Sequence, residues 1–276
     1  MNYLKKLITG FFFLLSLNLI AQDSSINGDD PEELENDAHQ VYLSVTGGGF
    51  HASKKTSTYY DGFGENDIVR LLSIPQIYSQ IFDKIGYPFQ MGGYPAAPRY
   101  RIGINLGAEI GWWLSEYTAL TLGVDFVNLK INEAFTLEAD NPANLSGDPL
   151  IFTQQILGAE QRFQFNLGLH HDVGDNYKMM TFFEWGININ AMKPIKNEIV
   201  IEESLRYNLL TQTNFFTFTP VTTIGFGAYS AFGVRMNFEN HKAIDFGLRA
   251  YFQRISLGET KVSAFSQLLF LRLVYM

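Results

Sequence analysis

There is no cysteine anywhere in the chain. That excludes disulfides, thiolate metal sites, a cysteine nucleophile and a lipid-modified N-terminal cysteine. Long apolar runs are equally scarce. Beyond the N-terminus none reaches the ~18 residues that a membrane-spanning helix requires, and mean hydropathy is close to zero at −0.01. No basic patch marks a nucleic-acid partner. GxSxG, HExxH, a P-loop and a dinucleotide fingerprint are all missing, and with them the usual short signatures of hydrolases, zinc proteases and nucleotide enzymes.

Negative charge is present but confined. Residues 1–21 read as a secretory leader, with Lys5 and Lys6 before LITGFFFLLSLNLI and Ala21 as the small residue ahead of Gln22. Residues 22–39 then hold Asp23, Asp29, Asp30, Glu32, Glu33, Glu35 and Asp37 without a Lys or Arg. The formal charge of −8 becomes −10 without the two leader lysines, and these seven acids leave only −3 for residues 40–276. So polar a segment cannot bury a core and is expected to be a solvated, disordered periplasmic tail. It lacks the glycine and closing glutamate of an EF-hand loop.

What the chain has in quantity is aromatics, with 24 Phe and 14 Tyr, and alternation. RYRIGINLGAEIGWW (99–113) sets Tyr100, Ile102, Ile104, Leu106, Ala108, Ile110 and Trp112 against Arg101, Gly103, Asn105, Gly107, Glu109 and Gly111. A period of two describes a strand with unlike faces. The pattern recurs at 41–50, 118–131, 162–170, 177–190, 223–238, 243–255 and 262–276, which makes eight strands. In 118–131 the parity slips near Val127, after which Leu129 and Ile131 carry the apolar side, so a β-bulge is expected there.

Short connections at LSEY, GDN and ENHK alternate with the stretches 51–98, 132–161 (part of which is open to extending the fourth strand), 192–222 and 256–261, three of them long. Most strands reach the ~9–11 residues that cross a bilayer when tilted. The polar face is rich in glycine, which suits a crowded interior better than a solvated exterior. These features predict an all-β fold: an eight-stranded antiparallel transmembrane β-barrel over 40–276 with long extracellular loops. Its apolar face would meet lipid, Tyr100 and Trp112 would sit at the interfaces, and both termini would be periplasmic.

The FFFLLSLNLIAQ leader, the eight alternating strands, the Phe/Tyr/Asn/Lys-rich composition and a last strand ending apolar-x-apolar-x-aromatic before Met276 carry a resemblance. The chain resembles small outer-membrane β-barrel proteins of Bacteroidota, the broad PorT-like or OmpX-like class. That resemblance implies an outer-membrane location and roles such as accessory subunits of larger machines.

An eight-stranded barrel is just wide enough for its own side chains to fill it. The interior set is expected to comprise the cations Arg101, Arg162, Lys178, Arg235, Arg249 and Arg272 with the anions Glu109, Asp125, Glu184 and Asp245. Unpaired buried charge is expensive, so these should pair into a plug, leaving a narrow small-solute channel as the alternative. An outer-leaflet lipid A-modifying enzyme would use His51 with Ser53. In the first long loop Leu71, Leu72, Ile77, Ile81, Phe82 and Ile85 recur at helical spacing around Pro75. That apolar face must be covered, either by the barrel's own mouth or by a partner. The loop at 193–220 adds Ile199, Ile201, Phe215, Phe216 and Phe218. The expected function is a non-enzymatic accessory subunit, without a cofactor, whose partners are outer-membrane lipid and an outer-membrane protein met through these loops.

Overall fold

The computed structural model describes residues 41–95, 98–140, 147–174, 176, 178–209, 222–238, 241–257 and 260–276. The expected leader, the acidic tail and Phe215, Phe216 and Phe218 lie outside the described residues. Eight long strands pair in chain order: β1 (Val41–His51), β3 (Gly103–Ser115), β4 (Thr118–Ala139), β5 (Leu150–Val173), β6 (Met179–Ile201), β8 (Thr223–Phe238), β9 (Lys242–Leu257) and β10 (Thr260–Tyr275). Every neighbouring pair is antiparallel, and β10 pairs back onto β1, so the sheet closes. Two short strands attach outside the ring, β2 (Phe89–Gly93) on β4 and β7 (Leu205–Asn208) on β6.

The register determines the shape. A row of partners that starts at Val41 passes Trp112, Leu120, Leu169, Trp185, Ser230, Ala250 and Gln267 and returns to the first strand at His51. Closure therefore shifts the chain from 41 to 51. Roughly 33 Å along the strand, against about 38 Å for eight inter-strand steps, tilts the strands by about 40°. With that tilt the outward apolar residues form a band about 25 Å tall around the barrel, the height of a bilayer core.

Ile104 is 71% exposed, Phe226 65% and Leu273 54%, while Arg272, between two leucines, is fully buried. The exterior is apolar and the interior charged, the reverse of a soluble protein. Contact with hydrocarbon is the environment that such a surface requires, and a closed sheet leaves no backbone edge unpaired in it.

Strands β4, β5 and β6 run far past that band, and there the polarity inverts. On β4 the odd residues face inward without interruption, from Thr121, Gly123 and Asp125 to Val127, Leu129, Ile131, Phe135 and Leu137. Pairing with β5 runs from Thr118 to Ala139 with no break in register. The bulge expected at Val127 is therefore absent; the parity is constant and the chemistry of each face changes. Beyond Phe126 the outward positions become Asn128, Lys130 and Asn132. The register shifts instead between Trp113 and Ser115 of β3, between Met91 and Gly93 of β2, and on β6 at a bulge at Ile195, where Lys196 pairs with Ala159 but Pro194 with Glu160. Proline has no ladder donor, and such a position accommodates it. The expected loop at 132–161 is accordingly mostly strand, as is 192–201.

Between β1 and β2 the chain folds into α1 (Lys54–Ser57), a turn at Thr58–Tyr60, a second at Gly64–Asn66, α2 (Ile68–Leu72) and α3 (Pro75–Ile85). Asp67 caps α2, its Oδ1 accepting the Val69 N–H at 2.8 Å. Pro75 opens α3, where its missing N–H costs nothing. Gly86 ends α3 at φ +81, with its N–H donating to the Phe82 carbonyl at 2.7 Å.

Candidate functional site

Inward-facing positions bring the charges together. Arg235 grips Asp245 with two donors, at 2.8 and 3.0 Å, and donates to Asp172 Oδ2 at 2.8 Å. Arg272 donates to Asp245 Oδ2 and Glu109 Oε1, each at 2.8 Å, and pairs with Glu184. Arg249 reaches Glu184 Oε2 at 2.8 Å and Asp125 Oδ2 at 3.2 Å, sandwiched between the Tyr229 and Phe270 rings. His170 stands between Glu184 and Asp172, 3.0 Å from each. Two carboxylates flank the ring, so whichever nitrogen carries the proton has an acceptor. Above this layer lie amides, with Asn188 Nδ2 on Asn166 Oδ1 at 2.7 Å and Gln253 Nε2 on Gln164 Oε1 at 3.1 Å.

Eight of the ten expected interior residues are there. Arg101 and Lys178 are not; both are exposed. Strand β3 begins only at Gly103, and Tyr100 makes an isolated bridge to Ile131. The alternation read across 99–113 therefore stops before its first residues, and the parity reverses. Tyr100 turns inward and Arg101 outward, so Tyr100 is not an interfacial aromatic, whereas Trp112 is 38% exposed on the outer face. Lys178 sits in the turn ahead of β6. Three interior groups were not expected: Glu160, His170 and Asp172. All are even-numbered positions of β5, in phase with Arg162, Gln164 and Asn166, so the parity of that strand contained the signal. The balance thereby reverses from excess cation to four arginines against six carboxylates, with His170 between two of the latter.

A second cluster closes the mouth. Arg162 Nε donates to Glu160 Oε1 at 2.6 Å, and its Nη2 donates to Thr56 Oγ1 at 3.0 Å. The Tyr60 and Tyr100 hydroxyls point at Glu160 Oε2 from 3.0 and 2.9 Å. Burial, and then Glu160 itself, push the Tyr60 phenol well up, so it stays the donor. The segment Ala52–Tyr60 is thereby tied into the barrel as a plug.

Above the plug the chain builds a core of its own. Leu71, Leu72, Ile77, Ile81 and Ile85 are buried against Phe135, Leu137, Ile156, Ile199 and Ile201 of the strand extensions, with Tyr207 of β7 and Phe89 of β2. Of the six residues foreseen as partner contacts only Phe82 is exposed, at 37%. That face is covered by the chain itself, which corrects its reading as an open docking surface. Exposed apolar side chains remain elsewhere on this module, at Phe63, Val69 and Ile151.

His51 is exposed at the outward end of β1, whereas Ser53 lies past the strand and caps α1 by accepting the Lys55 N–H at 3.3 Å. Among the described residues no group of three His, Asp or Glu is arranged to hold a metal ion. Every carboxylate named in the network is held by an arginine, a histidine or a hydroxyl.

No family model and no curated protein matches the chain. Among solved structures it is similar to Neisserial surface protein A, at 11% identity and a TM-score of 0.40 over 85% of this chain and 96% of that one. The N-terminal β-barrel domain of Pseudomonas aeruginosa OprF gives 9% and 0.36 over 86% and 99%. Ail of Yersinia pestis gives 10% and 0.34 over 86% and 99%.

Proposed function

We propose that this chain is a non-enzymatic outer-membrane β-barrel, with both termini periplasmic and its long-loop end outside, acting as an accessory subunit that binds another outer-membrane protein. The observation that carries this reading is the inversion at Val127. Below it the interior holds buried, paired charges; above it the same strands form a module with an apolar core and a polar exterior. A chain serving only to fill the membrane needs no such module, and ordered structure held outside the bilayer is where contact functions concentrate. Phe63, Val69, Phe82 and Ile151, apolar and exposed on the module, are the anchors assigned to the partner.

The test is a mild-detergent pull-down of tagged full-length protein from its own outer membrane, with stoichiometry by mass spectrometry. One partner near one-to-one is expected, and it should be lost with the F82D/I151D variant. Recovery of the barrel alone in both cases would reject the accessory role. Replacing His51 by Ala should leave the lipid A profile unchanged; an altered profile would restore the enzymatic alternative.

A further inference from the structure

Just beyond the apolar band, at the loop end, the outward face of the barrel changes from hydrocarbon to cations. On β4 the series Leu120, Leu122, Val124, Phe126 continues into Asn128 and Lys130. On β6 Phe183, Trp185, Ile187, Ile189 and Ala191 are followed by Lys193. On β9 Phe246, Leu248, Ala250 and Phe252 are followed by Arg254. Arg101 completes the set, its N–H donating to the Lys130 carbonyl at 2.9 Å. All four side chains are exposed.

Their height follows from the register. With the strands tilted by about 40° each residue climbs roughly 2.5 Å along the axis and each neighbouring strand adds about 3 Å. Counted from the row through Val41 and Trp112, the four cations fall within about 4 Å of one another. The outward strand positions at that height carry no carboxylate, and none of the four has an ion-pair partner among the described residues. The opposite rim differs. There the exposed Lys178 and Lys242 are accompanied by Glu116 and by the aromatics Trp112, Tyr117 and Tyr275.

We infer that this belt binds the phosphate groups of the surrounding lipid leaflet. On the membrane orientation proposed above, on which this inference rests, those are the phosphates of the lipid A headgroup. Four unpaired cations at the depth where apolar surface ends lie where such groups are held, and no acid competes for them. Arg101 and Lys130 are neighbours, so one phosphate receives both a planar guanidinium fork and a compact ammonium. Lys193 and Arg254 lie further round the barrel and engage separate lipids.

The test is native mass spectrometry of the full-length protein in neutral detergent, titrated with diphosphoryl lipid A, with the same glycolipid stripped of its phosphates, and with phosphatidylglycerol. The expected result is retention of diphosphoryl lipid A roughly tenfold or more above either other lipid. R101Q/K130Q/K193Q/R254Q should abolish that preference, and K178Q/K242Q at the far rim should keep it. Equal retention of the dephosphorylated lipid, or a preference surviving in the fourfold variant, would overturn the inference. A preference for phosphatidylglycerol would overturn the assignment to lipid A. Heat-modifiable gel mobility, read on every sample, separates this from failure of the membrane reading: wild-type protein without the shift would sink the barrel assignment itself.

Discussion

At the scale of single residues, the charged layer is built on three arginines, Arg235, Arg249 and Arg272, each shared among several acids. Arg272 touches Glu109, Glu184 and Asp245, so Arg272→Leu would take one cation from three buried carboxylates at once and leave them to Arg235 and Arg249. Breaking a buried ion pair by removing one partner costs about 3–5 kcal/mol. The temperature at which the folded gel band converts to the unfolded one should fall accordingly, and an unchanged midpoint would mean that the network adds little. Glycine matters at the mouth for its missing side chain. A Cβ on Gly158 would run into the Tyr60 ring, whose Cδ1 would lie 2.6 Å away. Gly158→Val should therefore unseat the plug and speed trypsin cleavage at Lys54 and Lys55, without moving the barrel's own melting midpoint.

At the scale of elements, α3 shows how an exposed amphipathic helix is satisfied within one chain. Ile77, Ile81 and Ile85 form its buried stripe, and the strand extensions supply the opposing surface. Truncating a buried isoleucine to alanine typically costs 2–5 kcal/mol, about the stability of a small module. Ile81→Ala should thus expose Lys84 and Arg70 to protease while the membrane-embedded strands stay folded. Loss of the barrel together with α3 would show instead that the two fold as one unit. The spacing of the isoleucines was legible in the sequence; the surface that covers them was not, because 132–139 read as loop and the sequence left open how much of 132–161 extends the fourth strand.

At the scale of the whole molecule, two obstructions lie in series: the plug at the mouth and the charged layer beneath it. Deleting residues 53–62 removes only the first. The expected result in planar bilayers is no discrete conductance, either for the complete protein or for the deletion. Steps appearing on deletion alone would make the plug the gate and revive the channel reading. The arginine layer opposes this outcome, because Arg249 and Arg272 span from β9 and β10 to Asp125, Glu184 and Glu109 on the facing strands.

The sequence by itself determined the strands and their faces, because a period of two survives wherever one side meets lipid and the other a packed interior. It determined eight of the ten interior charges for the same reason, and through β5 it contained Glu160, His170 and Asp172 as well. Only the tertiary structure decided where each strand stops and where along a strand the medium changes. Arg101 lies outside because β3 begins at Gly103, a boundary that alternation alone does not mark. The apparent slip at Val127 is a change of medium: with constant parity the outward face leaves hydrocarbon for water, and the inward face leaves a charged lumen for an apolar core. A periodic pattern records that two faces differ, and the surroundings that make one of them inside exist only once the barrel has closed.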